Sequence, residues 1–176
     1  LFGNTRTKEL FLRWSEMAVF TPVMRTHEGN RPDTNFQYYE DEDCMGQLAR
    51  LVDIYTMLAP YMKTLVKENA EKGIPVQRPL FLHHEEDKRA YAIQYEYLLG
   101  RDLLVAPVYL EARENWDVYL PEGEWVHLWT GDPYQGGDVN VDAPLGYTPA
   151  FYLRDSEYAP LFEEIRRKYG TGAVTD

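Results

Sequence analysis

The chain has 176 residues, 44% hydrophobic and 27% charged, the balance of a folded globular protein and not of a disordered one. Its 18 Lys and Arg against 29 Asp and Glu leave a net charge of 18 − 29 = −11, a surface that repels phosphate backbones and anionic headgroups and so argues against nucleic acid and membrane as partners. Cys44 is the single cysteine and has no disulfide partner within the chain, so nothing asks for an oxidising compartment and cytoplasmic residence is expected.

The first residue is Leu1, and the residues after it have neither the charged start nor the apolar run of a signal peptide. The expectation is a piece of a longer protein. Residues 5–20 read as a helix capped by Thr5, with Leu10, Trp14, Met17 and Ala18 making an apolar face. Pro22 ends it, and residues 23–27 read as a short buried strand opening onto a loop over 28–43. A long helix is expected over 44–71, with Asp43 as its N-cap, a kink or break at Pro60 and a C-cap at Gly73. Helix, strand, loop and helix in that order are the repeat of an α/β protein.

From Ile74 the pattern changes to short strands. Candidates are 75–82, 91–97, 103–108, 116–120, 125–129, 138–142 and 149–153, with 91–99 equally readable as helix. Turn signals stand at Gly100-Arg101-Asp102, Pro121-Glu122-Gly123, Thr130-Gly131-Asp132-Pro133 and Gly136-Gly137-Asp138. That spacing suggests an antiparallel β-sandwich. Residues 155–169 read as a closing helix capped by Asp155 or Ser156. The fold class is thus α/β followed by all-β, divided into 1–73, 74–170 and a polar tail at 171–176.

Five candidates have chemistry worth weighing. Arg25-Thr26-His27-Glu28 ends the expected strand, where (β/α) barrels place their active-site groups. His27 offers a donor and an acceptor for a ligand hydroxyl, and Arg25 a fixed cation; equally, Arg25 is an internal ion-pair partner and His27 a satisfied loop histidine. Asp33, Glu40, Asp41, Glu42 and Asp43 hold the paired carboxylates that a glycosidase needs, but carboxylates directly before a helix read better as its dipole-favoured N-terminus. His83-His84-Glu85-Glu86-Asp87 has metal-ligand residue types, yet neighbours on an extended segment point apart, so a polar turn and no metal is the reading. Cys44 has acidic neighbours that raise a thiol pKa, so it reads as structural. Trp116, Trp125 and Trp129 sit at strand positions that serve either core packing or stacking on sugars, and leave a non-catalytic carbohydrate-binding or structural β-sandwich as a rival to an enzyme.

Taken in order, TKELFLRWSEMAVFTPVMRTH, GIPVQRPLFLH, YLLGRDLLVAPV, VYLPEGEWVHLWTG and APLGYTPAFYLRDSE resemble the C-terminal part of glycoside hydrolase family 31, the family of α-glucosidases and α-xylosidases. MRTHEGNRP stands where most α-glucosidases have Arg-Asn-His-Asn, and is similar to the sulfoquinovosidase branch, whose substrates are α-glycosides of a glucose bearing a sulfonate at carbon six.

The resemblance implies the last helix–strand–helix of a (β/α)8 barrel over 1–73 and a C-terminal β-sandwich from 74. It implies a retaining O-glycosyl hydrolase whose nucleophile and acid/base aspartates lie upstream of Leu1, so no catalytic residue is assigned here and this chain alone is expected to be inactive. His27 corresponds to the family histidine that binds sugar hydroxyls, with Arg25 and Glu28 as flanking substrate contacts. No cofactor and no metal are implied. The expected partners are a small-molecule sugar glycoside and the remaining N-terminal part of the same chain, with a homo-oligomer left open. Without that N-terminal part, the apolar helix face over 1–73 makes the chain prone to aggregate.

Overall fold

The structure, a computed structural model, describes residues 5–27 and 31–171. The elements in chain order are α1 (Lys8–Ala18), α2 (Glu42–Met57), α3 (Ala59–Lys72), β1 (Gln77–Arg78), β2 (Tyr97–Leu99), β3 (Leu103–Val105), β4 (Asn115–His127), β5 (Pro133–Asp142), β6 (Ala150–Leu153) and α4 (Ala159–Tyr169).

Each helix end has a local cause. Thr7, not Thr5, caps α1, its hydroxyl accepting from Leu10 N–H at 3.1 Å. Asp41, not Asp43, caps α2 by accepting from Cys44 N–H at 2.7 Å. The expected long helix is two helices. Pro60 stands in the first turn of α3, where its missing N–H costs nothing. Gly73 closes α3 at φ 71, donating to Asn69 O at 2.8 Å. At α4, Ser156 Oγ accepts from Tyr158 N–H at 3.0 Å, and Tyr158 is the cap residue.

The six strands form one antiparallel sheet in the order β1-β2-β3-β6-β4-β5. Side chains alternate between its two faces. Leu99, Leu103, Val105, Ala150 and Tyr152 join one core with Leu51, Ile54, Leu58, Tyr61 and Leu65 of α2 and α3 and Phe162 and Ile165 of α4. Their neighbours Leu98, Leu104 and Phe151 join a second core with Val118, Leu120 and Val141, so the far half of the β4–β5 hairpin covers the other face. Both faces are therefore buried, the packing of a sandwich, with helices closing one side.

Several local expectations do not survive. Residues 22–27 form no strand, and Val23 is 68% exposed. A strand exists only through a ladder to a neighbour, and among the described residues none lies beside this segment. Residues 75–82 give the two-residue β1 and then a turn of 3-10 helix at Leu80–Leu82. Residues 88–96 are turns, neither strand nor helix, with β2 starting at Tyr97. Pro121-Glu122-Gly123 and Gly136-Gly137 are not chain reversals. They face each other across the hairpin, where the ladder shifts between Leu120↔Gly137 and Glu124↔Gln135, so β4 runs on through 116–120 and 125–127 as one strand. Gly100 (φ 64) and Gly131 (φ 80) do turn the chain where the sequence places turns.

Candidate functional site

α1 delivers the chain into an irregular segment, residues 22–27, whose carbonyls are held by side chains in place of a strand ladder. Tyr55 Oη of α2 donates to Pro22 O at 2.9 Å, and Thr21 Oγ1 to Val23 O at 3.0 Å. Arg6 Nη1 donates to His27 O at 3.2 Å. Met24 is half-buried against the helix core. The result is a run of exposed side chains on a backbone anchored at three places.

Arg25, Thr26 and His27 line one cleft of about 640 Å³. Its other walls are Leu10, Phe11 and Trp14 of α1, Tyr38 from the turn before α2, and Leu48 and Val52 of α2. Trp14 is 56% exposed. Leu10 and Trp14, on the apolar face read from the sequence, are exposed to the cleft, while Leu12, Arg13 and Glu16 of α1 are buried away from it. An aromatic and aliphatic floor with one imidazole and two guanidinium groups, those of Arg6 and Arg25, suits a ligand with an apolar ring face and hydroxyl or anionic substituents. Among the described residues lining the cleft none is Asp or Glu, so this wall does not itself supply the two carboxylates of glycoside cleavage.

The structure thus brings Arg25 and His27 together, and Glu28 lies outside the described residues. The other candidates go elsewhere. Asp41 and Asp43 pair with Lys8 Nζ at 2.7 and 2.9 Å, which holds both carboxyls below their ordinary pKa and pushes the ammonium up to about 12. Glu40 accepts from Gln37 N–H at 3.3 Å and Asp33 is exposed. The acidic run is the N-terminus of α2, as its position suggests. His83 lies 2.8 Å from the buried Arg78, and burial pushes its pKa down. Asp87 accepts from Arg89 N–H and from the Tyr119 hydroxyl, so the His-Asp run is pulled into separate contacts. Cys44 is buried, and burial raises its thiol pKa. Trp125 and Trp129 are core, their indoles donating to Pro121 O at 2.9 Å and Thr148 O at 2.7 Å, which leaves Trp116 as the partly accessible member of the three.

Arg6 and Tyr38 are cleft residues that the sequence did not single out, and Trp14 was read there only as part of an apolar helix face. Trp14 had a signal, a large aromatic on a helix face otherwise lined by Leu10 and Ala18. Arg6 had none, since its partners lie 21 and 30 residues away.

Residues 2–65 match the glycosyl hydrolases family 31 TIM-barrel domain, and residues 73–156 the glycosyl hydrolase family 31 C-terminal domain. The chain is 52% identical over 166 residues to a sulfoquinovosidase of Escherichia coli strain K12, covering 94% of this chain and 24% of that protein. It is 54% identical over 168 residues to a sulfoquinovosidase of Agrobacterium fabrum, covering 94% of this chain and 25% of that one. A family 31 sulfoquinovosidase from E. rectale, solved with an aza-sugar inhibitor, superposes with a TM-score of 0.95 at 72% identity, over 97% of this chain and 26% of that chain. The chain spans about a quarter of the length of each of these relatives.

Proposed function

Because the chain belongs to glycosyl hydrolase family 31, we propose that it forms the C-terminal part of a retaining α-glycosidase that hydrolyses α-sulfoquinovosides. The observation that carries the reading is the likeness to three sulfoquinovosidases across 94% or more of the chain, which includes Arg25, Thr26 and His27 on the polar side of the cleft. In this proposal residues 1–73 are the end of the barrel and residues 74–170 the C-terminal domain, with a tail at 171–176. The α1–α2 cleft is then one wall of the sugar site.

The proposed chemistry divides between this wall and the rest of the barrel. One carboxylate attacks the anomeric carbon as a carboxylic acid protonates the leaving oxygen. Water, deprotonated by that second group, then releases the sugar from the covalent intermediate. Both carboxyl groups belong to the part of the barrel outside this chain, so the chain alone has no turnover. His27 hydrogen-bonds ring hydroxyls, contacts that strengthen as the sugar flattens toward an oxocarbenium ion. Arg25 and Glu28 are flanking contacts. Cytoplasmic residence belongs to the same proposal, supported by the lone unpaired cysteine; no helix among the described residues is long and apolar enough to cross a membrane.

The test uses a protein carrying the complete barrel. Its kcat/KM is compared on a chromogenic α-sulfoquinovoside and the matching α-glucoside, for the parent and for His27→Ala. A strong preference for the sulfonated sugar, and a loss of about 10- to 100-fold in His27→Ala with unchanged circular dichroism, is the expected result. Preference for the glucoside rejects the branch, and unaltered kinetics in His27→Ala rejects the residue's role.

A further inference from the structure

We infer that Arg6 is a positioning residue for His27, its guanidinium clasping both ends of the loop that follows His27 and so setting where the imidazole stands in the cleft. The inference rests on the reading of His27 as a sugar contact and adds the means by which it is held.

The segment that carries His27 has no strand ladder, so its placement depends on individual hydrogen bonds. Those at Pro22 and Val23 fix the start of the segment. The bond at its far end is Arg6 Nη1 to His27 O, 3.2 Å. The same planar group reaches across the loop: Nε and Nη2 both donate to Phe36 O, at 3.0 and 2.8 Å, and Nη2 also donates to Gln37 Oε1 at 3.2 Å. One rigid fork therefore joins residue 27 to residues 36 and 37.

Both anchors of the clasp are themselves fixed. Arg6 N–H donates to Asn35 Oδ1 at 3.0 Å, Phe36 N–H donates to Arg6 O at 2.9 Å, and the guanidinium lies 5.4 Å from the Phe11 ring centroid. Arg6 immediately precedes Thr7, the cap of α1, so the clasp and the cleft wall share a root. On the other side, the buried Gln37 donates from Nε2 to Pro32 O and Asn35 O, both at 3.2 Å, which ties residues 32–37 into one unit. A clasp of this form needs several donors in a fixed plane, which arginine has and the single rotatable ammonium of lysine lacks. Releasing it leaves the segment held, among the described residues, at its start by Pro22, Val23 and Met24 and not at His27, and displacement of a positioned group by about 1 Å costs on the order of 100-fold in rate.

The experiment is a double-mutant cycle in a protein carrying the complete barrel: parent, Arg6→Lys, His27→Ala and the pair, with Arg6→Ala alongside, assayed on the α-sulfoquinovoside. Arg6→Lys keeps the charge and loses the fork. The expected result is a roughly 10- to 100-fold lower kcat/KM in Arg6→Lys, falling mainly on kcat, with parental circular dichroism. In the His27→Ala background the same change costs less than about 2-fold, because the group being positioned is gone. Full additivity of the two losses makes Arg6 a structural staple only and overturns the inference. So does parental kcat/KM in Arg6→Lys when His27→Ala is impaired. If Arg6→Ala fails to fold, the folded Arg6→Lys decides. Parental activity in His27→Ala removes the reading beneath, a separate outcome that overturns the inference as well.

Discussion

His127 sits near the end of β4 with its imidazole 4.9 Å from the Phe151 ring centroid and 6.4 Å from that of Tyr134. Nδ1 lies 3.1 Å from Thr130 Oγ1. Burial pushes its pKa down from 6.5 to about 4, opposed by the charges of Asp132 and Asp142. In the unfolded chain it takes up a proton near 6.5, so between 6.5 and 4 the unfolded state binds more protons. The stability it contributes is therefore complete above pH 6.5 and is lost as pH falls toward 4. Glu96 has the opposite sign. Burial raises its carboxyl to about 7 against the pull of the Tyr119 N–H, which donates to it at 2.9 Å. Its contribution is complete below about 4.5 and disappears as pH rises through 7. Melting temperature followed from pH 8 to pH 4 separates the two. His127→Gln removes a destabilisation of about 2–3 kcal/mol on the acid side. An acid-side slope identical to the parent's contradicts the assignment.

At the scale of elements, two glycines show how position outranks residue type. Gly46 lies in the interior of α2 with nothing within 4 Å of where a Cβ would stand. Gly46→Ala relieves backbone entropy and raises stability by about 0.5–1 kcal/mol, a rise of a few degrees in Tm. Gly136 lies on β5 opposite the bulge of β4, and a Cβ there meets Glu122 Cα and Pro121 O, both at 2.8 Å. Those are backbone atoms of the facing strand and cannot rotate away. Gly136→Ala forces the hairpin apart and costs about 1–3 kcal/mol. Thermal unfolding of the two variants against the parent checks both signs, and a neutral Gly136→Ala contradicts the close approach. The glycine pair read as a turn from sequence because glycine marks both reversals and tight contacts. Only the facing strand distinguishes them.

At the scale of the whole molecule, a buried charged cluster ties α1 to the sheet region. Arg13 is 8% exposed and Glu16 1%, and they pair at 3.0 Å. Arg13 Nη2 reaches Arg113 O at 2.6 Å and Ala143 O at 2.9 Å, residues just before β4 and just after β5. From α2, Arg50 donates to Gly146 O at 2.6 Å and lies over the Tyr147 ring. Burial outweighs the attraction of Arg13 and lifts the Glu16 carboxyl to about 7. Arg13→Ala leaves a buried carboxyl and two carbonyls without their partner, at a cost of about 3–5 kcal/mol. The check is thermal unfolding of Arg13→Ala beside Arg13→Lys. Parental stability of Arg13→Ala means the cluster does not join the two parts.

Local rules carried a large share of the legible structure. The break before Pro60, the cap at Gly73, the turns at Gly100 and Gly131 and the carboxylates at the head of α2 depend on φ, ψ and hydrogen bonds within about four residues, which a linear sequence displays. The order of motifs also identified the family and pointed to His27, which the structure then placed with Arg25 on one cleft. The tertiary structure alone decided the features that depend on distant partners. Residues 23–27 run from apolar to polar like a strand opening onto a loop, but among the described residues no neighbour makes them a strand. Arg13 and Glu16, charged residues on a helix, are buried because their partners arrive from 100 and 130 residues away. Arg6 becomes a clasp because its partners lie 21 and 30 residues ahead. Pairing and desolvation are properties of neighbours in space, and the chain records those neighbours only once it has folded.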